Sequence, residues 1–229
     1  MIMRLAIVIP AYNEGKVIRR VVEGLPRKIA GVKKIVIFVV DDGSVDQTAR
    51  EAKKTRAILV SHPINLGVGA ASVTGLEAAR RSGADLAITF DGDGQHDPQD
   101  IARVAKPILS GRADLVIGSR LKKPRGMPAI KKIGNWGLNF FTYLLSGRLT
   151  SDSQSGFKGF SKRALKLLKL DTLGYEFCSE TIIDAAAENL KIKEVPIRVI
   201  YSSYSKGKGQ SILNGLNIVT KLIIHKFTR

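Results

Sequence analysis

The sequence predicts an α/β protein built on a doubly wound, mostly parallel sheet, and two observations predict it. Short apolar runs alternate with segments whose apolar residues repeat at helical spacing, the pattern of strands joined by crossover helices. Nearly every apolar run also ends in a cluster of polar residues and glycine, and the carboxyl ends of parallel strands are where such sheets bind ligands.

The elements follow in order. Leu5 to Ile9, stopped by Pro10, is a first buried strand, and Ala11–Gly15 is a loop. Val17 to Leu25 has helical spacing. Ile35 to Val40 is a second strand running into Asp41-Asp42-Gly43-Ser44, followed by a helix from about Asp46. A third strand lies near Ala57 to Val60, and the loop Pro63–Gly69 opens a small-residue helix, Ala70 to Arg81. Gly67-Val68-Gly69 begins like a dinucleotide fingerprint, but Ser72 stands where its last glycine belongs, so close helix packing explains the small residues. Leu86 to Phe90 is the fourth strand, Pro98 to Leu109 a helix, and Leu115 to Ile117 a fifth strand ending at Gly118-Ser119-Arg120.

From Gly126 the pattern changes. Lys131 to Gly147 carries Trp136, Leu138, Phe140, Phe141, Tyr143, Leu144 and Leu145 among basic residues. It reads either as a buried helix or as an amphipathic helix in a membrane interface, a zone that favours Trp, Tyr and Lys. Asp152 to Lys158 is a polar turn into a short strand, Glu176 to Asn189 a helix, and Ile192 to Ile200 a strand interrupted at Pro196. Ser202 to Gln210 is a basic loop. The last segment, Ser211 to Phe227, lines up Ile212, Leu216, Val219, Ile223 and Phe227 on one helical stripe.

The stretch Phe90-Asp91-Gly92-Asp93-Gly94-Gln95 carries the most chemistry. On an extended backbone Asp91, Asp93 and Gln95 point the same way. Two carboxylates and an amide oxygen suit Mg2+ or Mn2+, with positions left for water and substrate phosphates. A plain helix cap is the bland alternative, since Asp97-Pro98 is a good start for a helix. A calcium loop fails because His96 and Ala102 stand where that motif needs Gly and Glu. An Asp-x-Asp phosphatase of the haloacid-dehalogenase type remains as a further alternative.

Composition narrows the partners. The net charge of +17 calls for an anionic partner, and the absence of a recognition motif or interleaved aromatics argues against nucleic acid. Cys178 is alone, so no internal disulfide forms and a reducing compartment is expected. His62, His96 and His225 show no zinc spacing and read as surface or helix filler. No leader pattern and no apolar run of the ~18 residues a membrane span needs is present, so a soluble or peripheral protein is expected.

Together, Pro10-Ala11-Tyr12-Asn13-Glu14, Val40-Asp41-Asp42-Gly43-Ser44 and Asp91-Gly92-Asp93-Gly94-Gln95-His96 resemble family 2 nucleotide-sugar glycosyltransferases of the GT-A fold. Gly118-Ser119-Arg120, the run Asp152 to Lys158, and Glu194-Val195-Pro196-Ile197 look like the branch of dolichyl- and polyprenyl-phosphate mannose synthases. The resemblance spans about Leu5 to Gly209. It implies one catalytic domain, with a nucleotide-sugar half (1–125) and an acceptor half (126–229). It implies that Pro10, Tyr12, Glu14, Val39 and Asp41, with Asp91 and Gly92, hold the nucleotide sugar. Asp91, Asp93 and Gln95 would bind Mg2+ or Mn2+. Asp93 and Arg120 would serve catalysis, and Arg120, Lys131 and a loop cation, Lys206 or Lys208, would meet the acceptor phosphate. The implied reaction is inverting hexose transfer to a polyprenyl phosphate, with GDP-mannose as first-choice donor and UDP-glucose or UDP-N-acetylglucosamine behind it. Transfer to a soluble acceptor, or nucleotide and lipid binding without turnover, are the alternatives. The implied location is the cytoplasmic face of a membrane, through amphipathic helices or an anchoring partner. Val68 and Lys131 depart from the lysine and arginine that many relatives carry at those places.

Overall fold

The apolar run at the start of the chain becomes β1 (Met3–Ala11), and it lies near the middle of the molecule. It pairs in parallel with β2 (Val32–Asp41) on one side and β4 (Leu86–Thr89) on the other, with Ile7 opposite both Ile37 and Ile88. β3 (Ile58–Ser61) extends the sheet beyond β2. In the other direction come β6 (Lys158–Ser161), β5 (Leu115–Ser119) and β7 (Ile192–Pro196), giving the order β3-β2-β1-β4-β6-β5-β7. β6 is antiparallel to both its neighbours and the remaining pairs are parallel. This computed structural model describes residues 3–122, 129–200 and 220.

Alternation along the strands divides the core into two layers. Leu5, Ile7, Ile9, Ile88 and Phe90 face α1 (Ile18–Gly24) and α4 (Asp100–Leu109), which present Ile18, Val22, Ile101 and Val104. Ala6, Val8, Ala87, Leu115 and Ile117 face the other way, onto Leu76 and Ala79 of α3 (Val68–Arg81) and Phe177 and Ile182 of α7 (Phe177–Ala187). Helices therefore cover both faces, as a doubly wound sheet requires. α2 (Thr48–Lys53) links β2 to β3.

Three features depart from the sequence reading. β6 runs against the sheet, and α6 (Lys162–Leu167), which the spacing does not announce, starts where the Ser161 side chain accepts from Ala164 N. The helix expected from Pro98 begins at Asp100, because the Asp97 carboxylate first accepts from Gln99 N in a preceding turn. α5 (Ala129–Ser146) is not wholly buried, as one of its two readings had it, but has one packed and one open face. Leu138, Phe141 and Leu145 pack against Ile183 of α7, while Trp136, Phe140, Tyr143 and Leu144 are exposed, Trp136 to 70%. The rings of Trp136 and Phe140 stack on that open face at 6.1 Å. No helix among the described residues is long and apolar enough to cross a membrane. The basic loop 202–210 and the stripe expected over 211–227 lie outside the described residues.

Candidate active site at the carboxyl ends of the strands

Because β1, β2 and β4 are neighbours and parallel, the loops after them converge. Gly92 lets the loop after β4 lie against the end of β1, where a β-carbon would sit 3.0 Å from Pro10 O. The loops after β1 and β2 interlock: Asn13 N donates to Ser44 Oγ (2.9 Å), Val45 N to Asn13 Oδ1 (3.1 Å) and Glu14 N to Thr48 Oγ1 (2.7 Å). Asn13 takes a left-handed φ of 55° to make this turn, a conformation asparagine tolerates better than most residues. Tyr12 stands at the rim with its ring 45% exposed, whereas Glu14 and Asp41 are buried. Val39 sits inside β2 between Ile9 and Leu59 and is fully buried. Its side chain belongs to the core, so the contact expected of Val39 with the nucleotide does not extend to that side chain.

Asp42 does something the sequence did not disclose. Its carboxylate accepts from Leu66 N (3.0 Å) and Gly67 N (2.8 Å) and lies 2.7 Å from His62 Nδ1, whose Nε2 is 3.0 Å from Thr74 Oγ1. The loop Pro63–Gly69 is thereby tied to the end of β2, and His62 is a structural partner rather than surface filler.

The Asp91–Gln95 stretch is not extended as the spacing suggested. Gly94 adopts φ +75°, and the chain turns so that Asp93 Oδ1 accepts from Gln95 N (2.9 Å) and Oδ2 from Gln95 Nε2 (2.6 Å). The Gln95 amide nitrogen is thus bonded to Asp93, which leaves the amide oxygen as an acceptor beside the two carboxylates. Among the described residues no group of three His, Cys, Asp or Glu side chains converges as a metal cage. Two adjoining carboxylates remain, a donor set that suits a hard cation completing its shell with water and phosphate. Their electrostatics agree. Burial and the charge of Asp91 push the Asp93 carboxyl above the usual carboxylate range, a cost that a divalent cation held by the pair would relieve. Burial also opposes ionisation of Asp91, yet His96, Arg120 and Lys158 hold its carboxyl below that range.

His96 is the second residue misread as filler. It is buried, its Nε2 lies 2.8 Å from Asp91 Oδ2, and its ring sits 5.7 Å from Phe90 and 5.0 Å from Phe157. On the other side of Asp91, a β-carbon at Gly156 would fall 2.7 Å from Oδ1, so only glycine allows that approach.

Arg120 leaves the end of β5 and is clamped by Asp152, whose fully buried carboxylate accepts from Arg120 N (2.9 Å), Nε (2.8 Å) and Nη2 (2.7 Å). Burial works against the guanidinium charge, but Asp152 overrides it and raises the pKa. The planar fork pairs with Asp152 along one edge, and with five N–H donors it has others to offer an anion. The Lys131 side chain, Lys206 and Lys208 lie outside the described residues.

The chain is similar to known proteins over nearly its whole length. Residues 6–168 match the profile described as glycosyl transferase family 2. The chain is 43% identical, over 96% of its length and 95% of the relative's, to a UDP-N-acetylglucosamine–dolichyl-phosphate N-acetylglucosaminyltransferase of Methanococcus voltae. It is 27% identical to an undecaprenyl-phosphate mannosyltransferase of Micrococcus luteus, covering 93% of this chain and 92% of that one. Glucosyl-3-phosphoglycerate synthase of Mycobacterium tuberculosis, solved with Mn2+, UDP and glucosyl-3-phosphoglycerate, superposes with a TM-score of 0.72 at 21% identity, over 96% of this chain and 77% of that one. The fold is GT-A, and the chain belongs to glycosyl transferase family 2.

Proposed function

We propose that the protein transfers N-acetylglucosamine from UDP-N-acetylglucosamine to a polyprenyl (dolichyl) phosphate, releasing UDP. The observation that carries the reaction class is the placement of Asp91 and Asp93 after β4 and of Arg120 after β5, with Arg120 near enough to hold Asp91 as an anion, and with Tyr12 exposed at the end of β1. The donor and the acceptor rest on the end-to-end 43% identity with the Methanococcus voltae enzyme. This replaces GDP-mannose as first choice, since the relatives named for mannose transfer are more distant, at 26% to 28% identity.

In this reading a phosphate oxygen of the acceptor attacks the anomeric carbon as the bond from that carbon to UDP breaks, inverting the configuration. An acceptor phosphate is already an anion, so no side chain has to remove a proton. In this site the buried His96 turns its Nε2 to Asp91, which fits a role in holding that carboxylate. Asp91 and Asp93 would hold Mg2+ or Mn2+, which supplies positive charge to the departing diphosphate. Arg120, fixed by Asp152, directs N–H groups at phosphate and costs no reorganisation when charge moves. Tyr12 offers its ring to the uracil. The exposed face of α5 is the surface we assign to the membrane that carries the acceptor.

The test is transfer of label from UDP-N-acetylglucosamine, UDP-glucose or GDP-mannose into an organic-extractable polyprenyl phosphate, with Mn2+ or with EDTA. Label from UDP-N-acetylglucosamine, abolished by EDTA, is expected. Label from GDP-mannose alone overturns the donor, and label only in a water-soluble acceptor overturns the lipid.

A further inference from the structure

Lys158 is fully buried, yet among the described residues no carboxylate is bonded to its ammonium. It opens β6, opposite Thr89 of β4 and Ile117 of β5, so it stands between the strand that leads to Asp91 and the strand that leads to Arg120. Burying an ammonium carries a large desolvation cost, and an apolar side chain would fill a strand position without it. The Nζ instead donates to two backbone carbonyls, those of Ser153 (3.3 Å) and Ser155. Asn139 and Glu194 hold the start of that loop through Ser151 and Ser153 N, and Gln154 Nε2 donates to Ser179 Oγ. The Ser155 Oγ beside the braced carbonyl, however, is buried without a partner among the described residues.

The loop touches both halves of the site. Its Asp152 clamps Arg120, and its Gly156 lies against Asp91 Oδ1. Thr89 fastens the far end, donating to Gly156 O (2.6 Å) and accepting from Lys158 N (3.2 Å).

We propose that Lys158 is a positioning residue: by holding the Ser153 and Ser155 carbonyls it fixes the loop that aims Asp91 and Arg120 at the same point. The inference rests on the reading of Asp91 as a metal ligand. A cation acting through its charge alone would repel Mn2+, so its removal would tighten metal binding. A brace predicts the opposite sign.

Lys158→Met keeps the volume and removes the donors. The apo variant is expected to exchange the Ser153 and Ser155 amide hydrogens faster than wild type. It is also expected to bind Mn2+ about tenfold more weakly, the effect typical of losing a group that orients a ligand. With the donor saturating, kcat should fall about 100-fold as the reacting groups lose register. Gly156→Ala, which keeps Lys158 and crowds Asp91 Oδ1 directly, should weaken Mn2+ in the same direction even if the Met variant does not fold. Tighter Mn2+ binding by Lys158→Met, unchanged loop exchange, or wild-type Mn2+ affinity in Gly156→Ala overturns the proposal alone. Failure of the wild-type protein to bind Mn2+ overturns the metal reading beneath it.

Discussion

Asp91 and Asp93 share one turn and respond to it in opposite directions. Asp91 is stabilised as an anion by His96, Arg120 and Lys158, while Asp93 has burial and the Asp91 charge against it. Asp93→Asn keeps the shape of the turn and removes the opposed charge. It should leave the thermal midpoint unchanged or raised while lowering turnover by about 100-fold or more, the scale of losing one charge-stabilising group. Activity assays paired with thermal melts separate the two effects, and retained turnover with Mn2+ would remove Asp93 from the site. A carboxylate far from the site behaves in the ordinary way. Asp85 accepts from Arg4 N (2.9 Å) and from Lys162 (3.3 Å), and the Arg4 amide first, helped by Lys162, holds its carboxyl below the ordinary value of 3.8. A depressed carboxylate stabilises the fold above its unfolded pKa and ceases to as pH falls through its folded one. Asp85→Asn should therefore cost about 1 kcal/mol at pH 7, with the gap to wild type narrowing below pH 3.8 in urea titrations.

At the scale of elements, α3 lies close on the sheet because Gly75 faces it. A β-carbon there would meet Val8 Cγ1 at 2.1 Å and Val40 Cγ2 at 3.1 Å, so the helix cannot keep its seat with alanine. Gly75→Ala should destabilise by about 1–3 kcal/mol through overpacking, measured as a lowered urea midpoint at unchanged m-value. The parallel strands were legible because each is an apolar run cut short by polar residues at the ligand end, as at Val40-Asp41 and Phe90-Asp91. β6 and α6 were less so. Lys158-Gly159-Phe160-Ser161 has no apolar run, and strand direction leaves no trace in a period of two. The same holds within the site. The acids and Arg120 stood out by type and place, while the turn that brings the Gln95 amide nitrogen onto Asp93 depends on a left-handed Gly94 that spacing alone renders straight. The parts played by His96, Asp152 and Lys158 depend on partners brought together by the fold, such as Phe157 against His96 and the Ser155 carbonyl against Lys158. No local pattern announces those.

For the molecule as a whole, a charge of +17 and the open face of α5 would act on the same partner if α5 meets a membrane as proposed above. Leu149, 83% exposed just beyond that helix, is accompanied by Arg148, and Lys191 and Lys193 line the same cleft. Aromatic residues with cations around them suit an anionic bilayer surface. Co-sedimentation with anionic vesicles should fall as salt shortens the screening length below about 8 Å. The variant Trp136→Ser/Phe140→Ser/Leu144→Ser should lose most vesicle binding while keeping turnover on a detergent-dispersed acceptor. Equal sedimentation of variant and wild type would detach α5 from the membrane. The reversed strand has a consequence for how such a protein can diversify. Since β6 returns antiparallel beside β5, with Lys158 opposite Ile117, the stretch between them departs from and comes back to neighbouring points on one rim. Such an excursion can be lengthened, trimmed or exchanged at modest entropic expense, leaving the sheet's pairing intact. If α5 meets the acceptor as proposed above, the middle of that excursion could change acceptor preference while its two ends, where Asp152 clamps Arg120, stay fixed.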